Sequence, residues 1–273
     1  MNYLYSPITY FSIVLLGTLA TIPIAIFYNK KGSPQKTLPF ILLNLLVPCI
    51  TALVLIFFSG NEFLINDFWD RLFKFNIQFN YLVSFVFLMP CAVLIATLIS
   101  LLWGGSTQQF LISKDISLFG VLIPVIIVPL IEEIGWRSYG VDSLHSNFNL
   151  FTTSLIYGSL WGAWHLNLFF VKGFHQSQLW DRGFIHVFNF FIGIIVIAFL
   201  MNWVFYNTGR SIPVLVLCHS VFNLSSMLFR TEARTELITT VILFGLLCGV
   251  IAADKDDWFD KSRIKTITTE EIE

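Results

Sequence analysis

Ionisable residues inside apolar stretches are the first sign of chemistry in this sequence. Glu132 and Glu133 end one apolar run, and Arg137 follows shortly after them. His165 and His219 lie within two later apolar runs. Placing such a group in hydrocarbon costs roughly 2.5 kcal/mol or more, so these residues usually face a cavity and serve a function there. Together they predict a buried polar site.

Spacing predicts which of these side chains share a helix face. Glu133 and Arg137 are four residues apart, in the favourable order for an ion pair, and Arg137 would keep that carboxylate ionised. His219 and Asn223 have the same spacing, so an imidazole and an amide could hold one ligand or water. Glu132 is rotated by about 100° from Glu133, which leaves its carboxylate outside the ion pair.

A second argument places Glu132 opposite His165. Residues 146–149 are typical of a turn, and Asn149 can cap the helix that follows. Glu132 and His165 are equally far from this turn along the chain. An antiparallel helical hairpin would therefore bring them to the same level, roughly 25 Å from the turn. This requires the first helix to continue to about His145, and we expect that extension to be exposed.

The chemistry that fits these side chains is the activation of water for peptide hydrolysis. Glu132, a carboxylate in a low-dielectric cavity, would take a proton from water. His165 would hold that water or share the proton. The tetrahedral oxyanion needs preorganised donors, which His219 and Asn223 could supply from one helix face.

Zinc is the alternative cofactor. Glu132, His165 and His219 are acceptable zinc ligands, with water as the fourth. However, the sequence lacks the His-Glu-x-x-His spacing of the common zinc peptidases, and these ligands come from separate helices. The cysteines form no close pair that would suggest a metal or redox motif: Cys49, Cys91, Cys218 and Cys248. We therefore expect no required cofactor and keep zinc as the alternative.

Composition indicates the scaffold that must position these residues. Of 273 residues, 56% are hydrophobic and only 12% are charged, which is about half the charge of a typical soluble protein. Mean hydropathy is +0.77, and the net charge of −1 gives no footprint for nucleic acid. Helix-length apolar runs predict an all-α, polytopic membrane bundle of about eight transmembrane helices. The predicted spans are Ile8–Tyr28, Leu38–Ser59, Tyr81–Trp103, Ile116–Trp136, Leu150–Val171, Phe184–Tyr206, Ile212–Phe229 and Leu237–Ala253.

These spans divide the chain into four regions. Residues 1–115 hold three N-terminal spans, residues 116–229 hold four spans with the candidate site, and residues 230–253 form the last span. Residues 254–273 form a polar, highly charged tail, which we expect to be solvated. Within the spans, glycines are expected to permit close helix approach and asparagines to bridge helices: Gly135, Gly158, Gly162, Asn167, Asn189 and Asn202.

Three motifs follow one another along the chain: Glu132-Glu133-x-x-x-Arg137, Trp161-x-x-x-His165 and His219-x-x-x-Asn223. In type and order they resemble the motifs of the CPBP (CAAX protease and bacteriocin-processing, or Abi) family, which is related to the type II CAAX prenyl endopeptidases. The resemblance covers Ile116–Phe229. The second family motif is Phe-x-x-x-His, so this chain has Trp161 where the family has Phe. Trp in place of Phe keeps an aromatic ring, so we expect it to affect packing or substrate fit rather than chemistry.

The resemblance implies a multi-pass intramembrane endopeptidase, either a glutamate protease or a metalloprotease. Glu132 and His165 would be its water-activating pair, and His219 and Asn223 its oxyanion stabilisers. The supporting or substrate-positioning residues would be Glu133, Arg137 and Trp161. The substrate would be a membrane-embedded or lipidated peptide or protein, and the motif style suggests a bacterial plasma membrane.

Two other functions stay open from the sequence. One is a catalytically silent bacteriocin-immunity or membrane scaffold protein, because motif residues alone do not prove turnover. The other is an ion-coupled transporter, in which Glu and His form a proton relay. The inverted repeats and paired broken helices typical of transporters are not evident. The oligomeric state is not indicated.

Overall fold

The computed structural model describes residues 5–75, 79–112 and 121–262, with the backbone alone for residues 79–85. This part of the chain is helical, with one isolated antiparallel bridge between Ile112 and Phe229. Its α-helices are α1 Pro7–Lys30, α2 Leu38–Phe57, α3 Glu62–Leu72, α4 Phe79–Leu102, α5 Val128–Gly135, α6 Val141–His145, α7 Leu150–Trp164, α8 His175–Arg182, α9 Phe184–Asn207, α10 Ile212–Leu228, α11 Ala233–Ala253 and α12 Lys255–Phe259.

Apolar helices form the frame of the molecule, as expected for a polytopic membrane bundle. Four are long and apolar enough to cross a membrane: Pro7–Lys30, Pro34–Phe57, Phe184–Asn207 and Ala233–Ala253. Two shorter apolar helices, Val86–Leu102 and Ile212–Leu228, lie within two further predicted spans. The all-α membrane architecture is thereby confirmed.

The remaining two predicted spans have interrupted helical geometry, and they carry most of the candidate site. In the fourth span, residues 116–120 lie outside the described residues. The chain is helical over residues 123–145, and we call this range the central segment. The fifth span starts as α7 and tightens into a 3₁₀-helix over His165–Phe170. Asn149 caps α7 by accepting a hydrogen bond from the Thr152 amide at 2.9 Å, so the predicted turn is confirmed.

Two π-helical turns, Ile123–Ile127 and Trp136–Gly140, flank α5 within the central segment. At the first turn the Val128 amide bonds to the carbonyl of Ile123, five residues earlier. In that register the Pro124 carbonyl would pair with residue 129, but Pro129 has no N–H. The central segment therefore presents a main-chain carbonyl that another helix can bind.

Glycine lets the central segment lie directly against α2. A Cβ atom at Gly135 would fall 2.7 Å from main-chain atoms of Pro48 and Cys49, so any larger residue would force the helices apart. Gly158 of α7 has the same role toward α9, since its Cβ would lie 3.0 Å from the Cα of Ile195. Close helix approach at these two positions is as expected.

The end of the central segment is buried, contrary to the exposed extension expected from the sequence. Asp142 lies within an ion network formed by Arg71 of α3 and Arg210 of the α9–α10 connection. The Tyr206 hydroxyl donates to the same carboxylate at 2.9 Å. The sequence does not predict this burial, because α3 is a short amphipathic helix between spans and its position on the central segment depends on tertiary packing.

The first part of the polar tail also packs onto the bundle. It forms α12, and Trp258 is fully buried against the ring of Phe199. The Trp203 indole donates to Asp254 at 2.8 Å. The first part of the tail is therefore a helix packed on the bundle, whereas a solvated tail was expected. Residues 263–273 lie outside the described residues.

Candidate active site

Two adjacent carboxylates on α5 form the centre of the site. Glu132 and Glu133 are 3% and 0% exposed. Arg137 Nε donates to Glu133 Oε2 at 2.6 Å, so the ion pair predicted from the spacing is present. Burial of a charge is tolerated when it is paired and hydrogen-bonded, and Glu133 meets this requirement.

The Arg137 guanidinium is held by three more residues. Asn202 of α9 accepts from its Nη1. The rings of Tyr157 and Phe205 lie 5.0 and 5.6 Å from its Cζ, within cation–π range. Asn202, expected only to bridge helices, therefore ties the ion pair to α9, and its own amide donates to Ser154 of α7 at 2.9 Å.

Glu133 also orients His219 of α10. Its second oxygen, Oε1, lies 2.8 Å from His219 Nδ1. With Glu133 ionised by Arg137, Nδ1 carries the proton and donates to the carboxylate. The Nε2 atom of His219 is then directed away from Glu133. Local sequence patterns do not predict this contact, because it joins residues 86 positions apart.

Asn223 lies one turn further along α10 and binds the central segment. Its Nδ2 donates to the Pro124 carbonyl at 2.8 Å, which is the carbonyl left without a main-chain partner by Pro129. One amide N–H is thereby fixed, and the second remains for a ligand. This hydrogen bond therefore links α10, the helix that carries His219 and Asn223, to the first π turn.

Trp161 of α7 contacts the first carboxylate and both histidines. Its indole Nε1 donates to Glu132 Oε2 at 3.1 Å. The ring centroid lies 5.7 Å from that of His165 and 5.6 Å from that of His219, both in edge-on geometry. Glu132 and His165 therefore both contact Trp161.

His165 is oriented by the end of its own helix. Its Nδ1 lies 2.8 Å from the Trp161 main-chain oxygen, which can only accept, so Nδ1 is the protonated nitrogen. The Nε2 atom then carries a lone pair. His165 and Asn223 are both partly exposed, whereas Glu132 is almost fully buried. His165 and Asn223 are therefore the more accessible residues of the site.

The zinc alternative uses Glu132, His165 and His219 as ligands. Within the described ranges, no three His, Cys, Asp or Glu side chains form a group that could hold a metal ion. Glu132 Oε2 bonds to Trp161, and His219 Nδ1 bonds to Glu133. Zinc would therefore have to use the remaining atoms, which are Glu132 Oε1 and the Nε2 atoms of both histidines.

Comparison with known proteins supports the motif assignment. A family model described as type II CAAX prenyl endopeptidase Rce1-like matches residues 114–225, a range that contains all three motifs. The CAAX prenyl protease 2 of Methanococcus maripaludis is 32% identical over 270 residues, which cover 95% of this chain and 98% of that relative. The chain therefore belongs to the Rce1-like family of type II CAAX prenyl endopeptidases, and it is accordingly an intramembrane peptidase.

Proposed function

We propose that this peptidase cleaves its substrate with a water molecule activated by Glu132 and His165. The observation that carries the proposal is the shared contact with Trp161, which holds Glu132 Oε2 on its indole and His165 Nδ1 on its carbonyl. Glu132 Oε1 and His165 Nε2 are then the two acceptors available to a water between them. The water donates one proton to each, and its lone pair faces a peptide carbonyl.

The reaction then follows by ordinary general-base hydrolysis. Glu132 takes a proton as the water oxygen bonds to the carbonyl carbon, which gives a tetrahedral oxyanion. Collapse of that intermediate breaks the C–N bond, and the proton held by Glu132 passes to the leaving amine. The products are a new carboxylate and a new amine, so no covalent enzyme intermediate is required.

His219 and Asn223 are the proposed oxyanion donors. Glu132, Glu133 and Arg137 together carry one excess negative charge in a buried site. A protonated His219 on Glu133 makes this cluster neutral, which favours the cationic imidazole. Its Nε2–H and the second amide N–H of Asn223 would then donate to the oxyanion.

We propose a prenylated, membrane-held peptide as the substrate. The Methanococcus relative is named a CAAX prenyl protease, and an active site within a membrane bundle fits a substrate that carries a lipid. A prenyl-cysteine would keep the scissile bond at the membrane. The expected location in a bacterial plasma membrane remains a prediction.

The test is cleavage of a quenched fluorescent peptide by the purified protein in lipid vesicles. A peptide ending in a farnesylated Cys-aliphatic-aliphatic-X sequence should be cleaved after the prenyl-cysteine, and the unprenylated peptide should be cleaved far more slowly. Glu132→Gln should lower kcat by roughly 10²–10⁴-fold, the contribution typical of a general base. Glu236→Gln on α11, a partly exposed surface carboxylate paired with Arg182, is the control and should match the wild type. Equal cleavage by Glu132→Gln would overturn the mechanism.

The same assay tests the role of metal. We expect wild-type cleavage to persist after extensive dialysis against a membrane-permeable zinc chelator. Loss of activity that returns on addition of Zn²⁺, with metal measured in the protein, would replace water activation by Glu132 with the zinc alternative.

A further inference from the structure

The residue at position 161 has a feature that a phenylalanine would lack. The motif this chain resembles has Phe there, and the Phe-to-Trp exchange was expected to affect packing or substrate fit. In the structure the added indole nitrogen is used: Trp161 Nε1 donates to Glu132 Oε2 at 3.1 Å, in a buried environment. Trp161 is itself only 4% exposed.

The distance and angle of its N–H make Trp161 the side chain that holds the Glu132 carboxylate, and the Trp136 indole is a second donor group near that carboxylate. Its neighbour Glu133 is held by Arg137 and His219 at both oxygens. A carboxylate with no partner would be free to rotate about its last torsion angle, which has a broad energy profile. The Trp161 indole removes that freedom and decides which oxygen faces the water.

We propose that the indole N–H of Trp161 is a positioning group for catalysis, which holds one oxygen of Glu132 so that the other accepts the proton of the attacking water. This inference rests on the proposed function of Glu132 and deepens it. The ring of Trp161 packs against His165 and His219, as a Phe ring could. Its main-chain carbonyl fixes His165 whatever the side chain. The N–H and the volume of the second ring distinguish Trp from Phe here.

The substitution Trp161→Phe therefore tests the proposed role. It retains an aromatic ring and the carbonyl that orients His165, and it removes the donor to Glu132 together with the volume of the second ring. We expect kcat on the farnesylated peptide to fall about tenfold to a hundredfold, the range for loss of a hydrogen bond to a charged group. KM should change by less than about twofold, because the indole contacts Glu132 and not the substrate.

A neighbouring tryptophan provides the matched control. Trp164 lies on the same helix, is 5% exposed and packs edge-on against His165 at 4.9 Å. Its indole nitrogen has no hydrogen-bond partner among the residues described. Trp164→Phe makes the same change in size beside the same imidazole, and we expect kcat within about threefold of the wild type.

An isosteric residue separates the N–H from the ring volume. In β-(3-benzothienyl)alanine a sulfur replaces the indole N–H and the bicyclic shape is kept. Incorporated at position 161, it should lower kcat as much as Phe does, while the unfolding temperature in detergent stays near the wild-type value. Wild-type kcat with this analogue would assign any effect of Phe to lost volume, and it would overturn the proposal.

The outcomes also separate this inference from the proposed function. If Glu132→Gln abolishes cleavage while Trp161→Phe turns over like the wild type, only the positioning role fails. If Glu132→Gln cleaves normally, the proposed base itself is wrong. A loss in Trp164→Phe equal to that in Trp161→Phe would also reject the positioning role, since it would reflect general disturbance near His165.

Discussion

At the scale of single residues, two adjacent carboxylates are given different tasks by their partners. Glu133 is bound at one oxygen by Arg137 and at the other by His219. Glu132 has a neutral donor, Trp161, at one oxygen. A doubly held carboxylate is a fixed part of the scaffold, whereas a singly held one retains an oxygen for chemistry. This difference supports Glu132 as the base and Glu133 as the residue that orients His219.

Glu133→Gln should lower the stability of the fold as well as disturb the orientation of His219. It leaves the fully buried Arg137 without its carboxylate, and breaking a buried ion pair in this way costs about 3–5 kcal/mol in free energy of unfolding. The surface pair Arg182–Glu236 is partly exposed, so Glu236→Gln should cost less than about 1 kcal/mol. Chemical unfolding in detergent micelles measures both. Equal, small losses would show that the buried pair does not stabilise the fold.

Sequence reasoning reached part of the residue-scale account. The Glu133–Arg137 pair follows from helical spacing, and in the structure Trp161 contacts Glu132, His165 and His219. The hydrogen bonds from Trp161 to Glu132 and from His219 to Glu133 were not predicted, because each depends on the rotation of one helix relative to another. No local pattern encodes that rotation.

At the scale of elements, the central segment is held by contacts that its irregular geometry creates. Arg71 of α3 donates to the carbonyls of Arg137 and Ser138 within the second π turn, at 2.7 and 3.0 Å. At the first π turn Asn223 binds the Pro124 carbonyl. Turns of this kind are frequent at functional sites. Apolar runs predict a helix here, but they do not reveal a change in its register.

Gly135→Ala tests the close contact between the central segment and α2. The added methyl group would meet main-chain atoms, which cannot move aside as a side chain can. Overpacking of this kind costs about 1–3 kcal/mol, so we expect a lower unfolding temperature together with reduced turnover. Gly249→Ala on α11 has open space around the new methyl and should be neutral or slightly stabilising. Identical behaviour of the two variants would contradict the packing.

The ion network at the end of the central segment predicts a specific acid sensitivity. Asp142 lies beyond the predicted span; burial by itself raises its pKa, but the Arg210 and Arg71 guanidiniums beside it hold that pKa below its usual range. A lowered pKa means that Asp142 contributes stability above about pH 4, its ordinary pKa. That contribution is lost as pH falls further, through the lowered folded-state pKa.

Unfolding measured from pH 6 to pH 3 checks this sign. Wild-type stability should decline more steeply below about pH 4 than that of Asp142→Asn, which should already be less stable at neutral pH. Asp181→Asn on α8, an exposed carboxylate, is a comparison with little expected effect on the slope. Parallel curves for the wild type and Asp142→Asn would remove Asp142 from the acid response.

At the scale of the whole molecule, composition and the length of apolar runs were enough to predict an all-α membrane bundle. They could not predict the docking of α3 or α12, whose sequences are polar and short. Both helices use a few buried side chains, Arg71 on α3 and Trp258 on α12. Both pack where the central segment ends and α7 begins: Arg71 contacts Arg137 and Asp142, and Phe259 of α12 contacts Asn149 and Phe151. This packing explains why residues expected at an exposed helix end are buried.

In the proposed mechanism, Glu132 activates a water molecule that attacks the peptide bond directly. A single-turnover reaction in H₂¹⁸O tests this, with enzyme in excess over the farnesylated peptide and mass analysis of the new carboxyl terminus. We expect one ¹⁸O atom in the first-turnover product of the wild type, and formation of product by Glu132→Gln that is slower by roughly 10²–10⁴-fold. An unlabelled first product would show that the oxygen came from an enzyme carboxylate, and normal cleavage by Glu132→Gln would show that this residue is not the base.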